Sequence, residues 1–248
     1  MKTKLAFLLF LPFLSFSLFS QETSTYSTGK FYVSGEGEMI FSFADIQSPE
    51  GVNIEQNMRW SPVFNLAGHF NYDLSENFGL NIGIALRNVG FIIKGDNLVL
   101  DGLIDPEDDI DRIKFRTYNA GLPVGFKIGD LDQDRPLFLF AGYEFEIPLH
   151  YKEKQFDGNN KDRSTDWFSN KTQDFQQSVF AGIQFRQGMS IKFKYYLTEF
   201  FDSDYSVLTE TETGEELVRP FENFNANVFY FSLEWYPFQD SKYAMQKY

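Results

Sequence analysis

The chain has no cysteine. That excludes a disulfide framework, a thiolate metal site and a lipid anchor carried on a cysteine after a leader. Histidine is almost as scarce, with His69 and His150 the only two, so no cluster with zinc-like spacing can form. Positive charge is in deficit: 22 Lys and Arg stand against 35 Asp and Glu, for a net charge of −13. Such a chain repels the phosphates of nucleic acid. Neither a phosphate-binding glycine loop nor a basic aromatic patch is evident. Beyond residue 20 no apolar run reaches the roughly 20 residues of a membrane helix. A chain of this kind can cross a membrane only as a closed barrel, because backbone groups in lipid have no water to bond.

The 248 residues fit one domain of barrel type. Lys2 and Lys4 precede an apolar stretch over residues 5–19 that closes on small polar residues. This pattern reads as a signal peptide over residues 1–20, with Gln21 starting the mature chain. The stretch is too short for a membrane-anchoring helix, the alternative reading. Residues 21–29 are then expected as a periplasmic segment, 30–238 as the barrel and 239–248 as a periplasmic tail.

Period-two alternation runs through the remainder. Over residues 30–43, Phe31, Val33, Met39, Phe41 and Phe43 oppose Tyr32, Ser34, Glu36, Glu38 and Ser42. The same pattern recurs over 59–74, 78–92, 113–128, 137–151, 175–186, 189–201 and 223–238, which makes eight strands. Short connections at 75–77, 129–136 and 187–188 alternate with long ones at 44–58, 93–112, 152–174 and 202–222. Outer-membrane barrels have this topology, with turns in the periplasm and four long loops outside. Within the last loop, 205–211 and 215–221 flank Glu212-Thr213-Gly214. They are expected as an external hairpin that prolongs the last two strands. The fold class predicted is all-β: an antiparallel transmembrane up-and-down β-barrel of eight strands, or ten if that hairpin is counted.

Alternation alone leaves open which face meets lipid, since a secreted ligand-binding barrel alternates too. Aromatics make up 19% of the chain, with 30 Phe. An eight-stranded barrel is only just wide enough inside for its own side chains, and the bulky faces would overfill it. From Phe31 to Phe43 the strand spans roughly 40 Å, which rises about 28 Å at a tilt near 45° and matches an apolar band of roughly 25 Å. Phe31, Trp60, Tyr72, Phe78, Tyr151, Phe200, Phe201, Trp235 and Phe238 lie near strand ends, where rings would mark the two membrane interfaces.

Several strands resemble a known family. "LNIGIALRNVGFIIK" at 80–94, "KFRTYNAGLPVGFK" at 114–127, "LFLFAGYEF" at 137–145 and "FYFSLEWYPF" at 229–238 look like strands of the outer-membrane β-barrels widespread in Bacteroidota, called PorT-like, with a barrel of OmpA-like type. The resemblance covers nearly all of the mature chain. It implies an outer-membrane location after signal-directed export, with outer-membrane lipid and the barrel assembly machinery as partners, and no assured biochemical role. Ten residues follow Phe238, so either Phe238 or Tyr248 could serve as the terminal assembly signal.

The inward face carries the main chemistry. Alternation points Glu36, Glu38, Glu144, Glu146 and Glu234 into the tube, with Arg59, Arg87, Arg186, Lys192 and Lys194. Buried charges are costly unless paired, so this set is expected to form a structural salt-bridged plug, with a narrow ion path as the alternative. His150, with Glu146 four residues back, is the one feature pointing toward a lipid-modifying enzyme. The separation of roughly 13 Å along a strand and the lack of a nearby Ser weigh against it, and no catalytic residue is assigned. An acidic loop over 96–111 carries Asp101, Asp105, Glu107, Asp108, Asp109 and Asp111. Its spacing matches no calcium loop, and it is expected to be solvated. No metal or cofactor is expected. The predicted role is a structural or interaction barrel, with a pore or secretion component as the alternative.

Overall fold

The computed structural model describes residues 30–47, 54–62, 65–94, 110–131, 136–158, 160–186, 188–211 and 214–239. The expected signal peptide, the periplasmic segment, most of the acidic loop and the tail from residue 240 lie outside the described residues.

The strands are β1 (Lys30–Gln47), β2 (Gln56–Asn57), β3 (Arg59–Ser61), β4 (Leu66–Asp73), β5 (Phe78–Lys94), β6 (Arg112–Asp130), β7 (Leu137–Asp157), β8 (Asn160–Trp167), β9 (Gln176–Gln184), β10 (Met189–Tyr196), β11 (Val207–Thr211), β12 (Gly214–Val218) and β13 (Asn225–Gln239). Eight of them close a ring in the order β1, β4, β5, β6, β7, β9, β10, β13, and β13 returns to pair antiparallel with β1. Closure matters because an open edge in lipid would leave backbone groups unpaired. The remaining strands decorate one end, the long-loop end. β2 pairs with β5, β3 with β1 and β8 with β7, while β11 and β12 form a separate two-stranded sheet.

Three expectations change. The strand expected over 59–74 is split, because Pro62 interrupts it and has no N–H to give the ladder. As a result β3 pairs with β1 alone, while β4 pairs on both sides. The hairpin in the last loop forms, but as its own sheet and not as a prolongation of β10 and β13. The third long loop is largely strand: β7 continues to Asp157 and folds back as β8. Alternation persists there, with Lys152, Lys154 and Phe156 opposing Glu153 and Gln155, but charge on both faces hides it.

The wall turns its apolar face outward. Leu66 is 54% exposed, Ile84 40% and Phe231 50%, whereas their inward neighbours Asn65 and Ser232 are buried. An apolar surface that continues around every strand of a ring is what a bilayer covers. Phe31, Trp60, Tyr72, Phe78 and Trp235 are exposed on it. Tyr151, Phe200 and Phe201 are not interface residues as expected; they are buried inside the barrel. β10 ends at Tyr196, and the chain after it turns into the mouth, where Phe200 N donates to Ala226 O at 2.8 Å. Phe201 stacks on Phe221 at 4.0 Å between ring centroids and meets Phe115 edge-on at 5.0 Å. Phe91 and Phe224 complete this aromatic cluster. β5 reaches it past Gly90 (φ +150°), where a Cβ would lie 2.1 Å from Phe115 O.

Candidate functional site

Beneath the aromatic cluster lies a layer of buried charge. Glu36 and Glu38 come from β1, Arg87 from β5, Glu144 and Glu146 from β7, Lys192 and Lys194 from β10 and Glu234 from β13. Each sits on the inward parity of its strand, and all eight are buried. Arg87 is the hub. Its Nη1 donates to Glu36 Oε1 at 2.9 Å and to Glu38 Oε2 at 2.7 Å, and its Nε donates to Glu144 Oε1 at 3.0 Å. Lys194 Nζ bridges Glu144 Oε2 at 2.6 Å and Glu146 Oε1 at 2.5 Å. Lys192 Nζ lies 3.1 Å from Glu38 and 3.4 Å from Glu36, and it also pairs with Glu234. Small wall residues leave the room: a Cβ at Gly121 would lie 2.3 Å from Glu144 Oε1.

Neutral groups take up remaining lone pairs. Tyr196 Oη donates to Glu146 Oε1 at 2.7 Å, and Asn119 Nδ2 donates to Glu146 Oε2 at 2.7 Å. His69 Nε2 lies 2.7 Å from Glu36 Oε2. Such a network tolerates burial because nearly every charge has a partner. Three of its acids, Glu36, Glu38 and Glu234, bring carboxylate oxygens within 4.8 Å of one another, a spacing that could hold a metal. Lys192 Nζ contacts all three, so the chain's own ammonium sits where a cation would go.

Two of the ten residues expected in the network stand outside it. Arg186 is exposed in the β9–β10 turn, 4.0 Å from Asp130. The strand ends at Gln184, so strand parity no longer governs Arg186. Arg59 is buried but meets no carboxylate among the described residues. Its Nη1 donates to Asn88 O at 3.1 Å and to Ser42 Oγ at 3.4 Å, and its Nη2 donates to Asn88 Oδ1 at 2.5 Å. Because β3 does not pair with β5, side chains bridge the gap there: Asn65 Oδ1 also accepts from Asn88 N at 2.7 Å. Alternation also turns Asp73 and Lys127 inward, and they form a further ion pair outside the layer. Lys127 Nζ meets Asp73 Oδ1 at 2.9 Å and donates to Tyr32 Oη at 2.7 Å, nearer the short-turn end.

A cavity of about 280 Å³ separates that pair from the charge layer, lined by Tyr32, Asn71 and Phe138 and floored by Glu36, Arg87 and Lys192. From the short-turn end the lumen therefore runs through a vestibule, then the charge layer, then the aromatic cluster.

Residues 19–206 match the family described as outer membrane protein beta-barrel domain. The chain belongs to that family. The family and the closed ring place the protein in the outer membrane. Among solved structures, Ail, the attachment invasion locus protein of Yersinia pestis, solved with the heparin analogue sucrose octasulfate, is 9% identical; the match covers 84% of this chain and 98% of Ail, with a TM-score of 0.31. OprG from Pseudomonas aeruginosa is 10% identical over 83% of this chain and 95% of its own, with a TM-score of 0.35. No curated protein matches the chain.

Within this outer-membrane barrel, His150 and Glu146 do not share a face. A bulge between Tyr118 and Asn119 shifts the β6–β7 register. Glu146 points in, while His150 lies on the outer face between the rings of Tyr118 at 5.8 Å and Trp167 at 4.6 Å. The pairing considered for lipid chemistry therefore does not form.

Proposed function

We propose that the protein is a closed outer-membrane barrel with a structural or interaction role and a lumen plugged by charge. The observation that carries this reading is Arg87, held by three glutamates of β1 and β7 directly beneath a packed aromatic cluster. The two layers obstruct water in different ways. Ion pairs fill the cross-section with groups that cannot leave without being desolvated alone, and the rings close the mouth by contact. Planar bilayers test it: the purified barrel should insert without steady conductance, and large, steady channels would mean that the lumen is an open pore.

In this reading a signal peptide over residues 1–20 directs export, the short turns face the periplasm, and β8, β11 and β12 stand outside the cell. The strand motifs at 80–94 and 229–238 favour the PorT-like branch of Bacteroidota barrels. A tag placed within 96–111 should label on intact cells; labelling only after the outer membrane is broken would reverse the orientation.

A further inference from the structure

The outer face of the β6–β7–β8 sheet changes character abruptly. Its lower part, at Ile128, Phe126, Val124 and Leu122 on β6, is exposed and apolar. Next comes an aromatic row of cross-strand partners, Tyr118, His150 and Trp167. Beyond it the face is cationic. Arg116 lies opposite Lys152, and Lys114 lies opposite Lys154, which lies opposite Arg163. Arg112 and Lys161 close the block, with charges 4.6 Å and 5.6 Å from the Phe156 ring between them. Glu153, Asp162 and Asp166 alternate onto the opposite face of the same strands.

Like charges directly opposite one another destabilise a sheet, so a row of three cations works against folding on its own. Among the described residues, no carboxylate lies within ion-pair distance of Arg116, Lys152, Lys114, Lys154 or Arg163. Arg116 Nε, shielded from solvent, has no hydrogen-bond partner. In a chain of net charge −13, this concentration is not a consequence of composition.

Height identifies the occupant. From Ile128 to Tyr118 the strand rises roughly 23 Å at a tilt near 45°, the thickness of the apolar band. Each further outward residue adds roughly 5 Å. The headgroup layer is roughly 5–8 Å deep on each side of a bilayer, so Arg116, and then Lys114 with Lys154, stand at its level on the lipid side of the wall, with Lys152 buried among them. We propose that this face binds the phosphate groups of lipid headgroups in the leaflet around the long-loop end. Guanidinium groups at Arg116 and Arg163 suit two-pronged phosphate binding, with the lysines as point charges between them.

The proposal goes beyond the plug and stands whether or not the lumen conducts. Its test is the unfolding temperature, read by heat-modifiable gel migration, in phosphatidylcholine vesicles with and without a minority of phosphatidic acid. The wild type should gain several degrees from phosphatidic acid. The triple variant Lys114→Gln, Lys154→Gln, Arg163→Gln should lose most of that gain, yet unfold no earlier than the wild type in plain phosphatidylcholine. A variant that keeps the full gain overturns the proposal. So does a variant that unfolds early in plain phosphatidylcholine, because the cations then serve the fold. Inorganic phosphate and a sulfated polysaccharide are added separately to plain vesicles. If either one stabilises the wild type while phosphatidic acid does not, the face takes a soluble anion and the lipid reading fails.

Discussion

Arg87 is the residue on which the lumen depends most. Its guanidinium touches Glu36, Glu38 and Glu144 while 1% exposed. Arg87→Gln removes the cation but leaves three carboxylates in place, and an uncompensated buried charge costs about 3–5 kcal/mol. Arg59→Gln should cost less, about 1–3 kcal/mol, since it loses hydrogen bonds to Asn88 and leaves no acid unpaired. Arg186→Gln should be close to neutral, because its ion pair with Asp130 is exposed and long, at 4.0 Å. Urea titration of the three variants in lipid vesicles checks the order. Equal losses at Arg87 and Arg186 would show that the network contributes nothing beyond surface charge.

At the scale of the strand, the outward face is tested by charge. Ile84 and Phe231 lie mid-strand, Leu66 opens β4 opposite Leu86 within β5, and all three are exposed. Arg at any of them should cost about 2–4 kcal/mol near the bilayer midplane. Arg at Ser232 enters the lumen beside the charge layer instead, where crowding is the main cost. A wild-type chain that folds fully in buffer without lipid or detergent would overturn the face assignment. The alternation that carries this prediction was readable in the sequence because each spanning strand has one apolar face and one polar face. It gave the ring of eight and the inward parity of Glu36, Glu38, Arg87, Glu144, Glu146, Lys192, Lys194 and Glu234. Where period two breaks locally, the sequence misled. The bulge at Tyr118 and Asn119 put His150 outside and Tyr151 inside. Phe200 and Phe201 leave the strand and plug the mouth, a tertiary choice no local pattern encodes. The cationic face was invisible for another reason: its residues come from three strands and meet only through register, within an acidic chain.

For the whole molecule, the question is whether the lumen is sealed once or twice. The charge layer belongs wholly to the ring strands, whereas much of the aromatic cluster does not, although Phe91 and Phe115 stand on β5 and β6. Phe200, Phe201, Phe221 and Phe224 lie outside the ring strands, whereas Arg87, Lys192, Lys194 and the five glutamates are part of the wall itself. The layers can therefore be opened separately. Phe201→Ala with Phe221→Ala removes a stacked pair at 4.0 Å. Each truncation of a buried Phe costs about 3–5 kcal/mol where the site cannot collapse. Loops around the mouth can move more freely than a closed wall, so the cost here should fall at the low end. The ion pairs beneath are unaffected by this change, and the variant should remain silent in planar bilayers. Arg87→Gln leaves the aromatic cluster in place and should also stay silent, though less stable. Only the combined variant, Arg87→Gln with Phe201→Ala and Phe221→Ala, breaches both barriers, and small, flickering currents are expected from it alone. If the two Phe substitutions suffice for conductance, the charge layer is not a seal, and its ion pairs serve to hold the wall around a water-filled path.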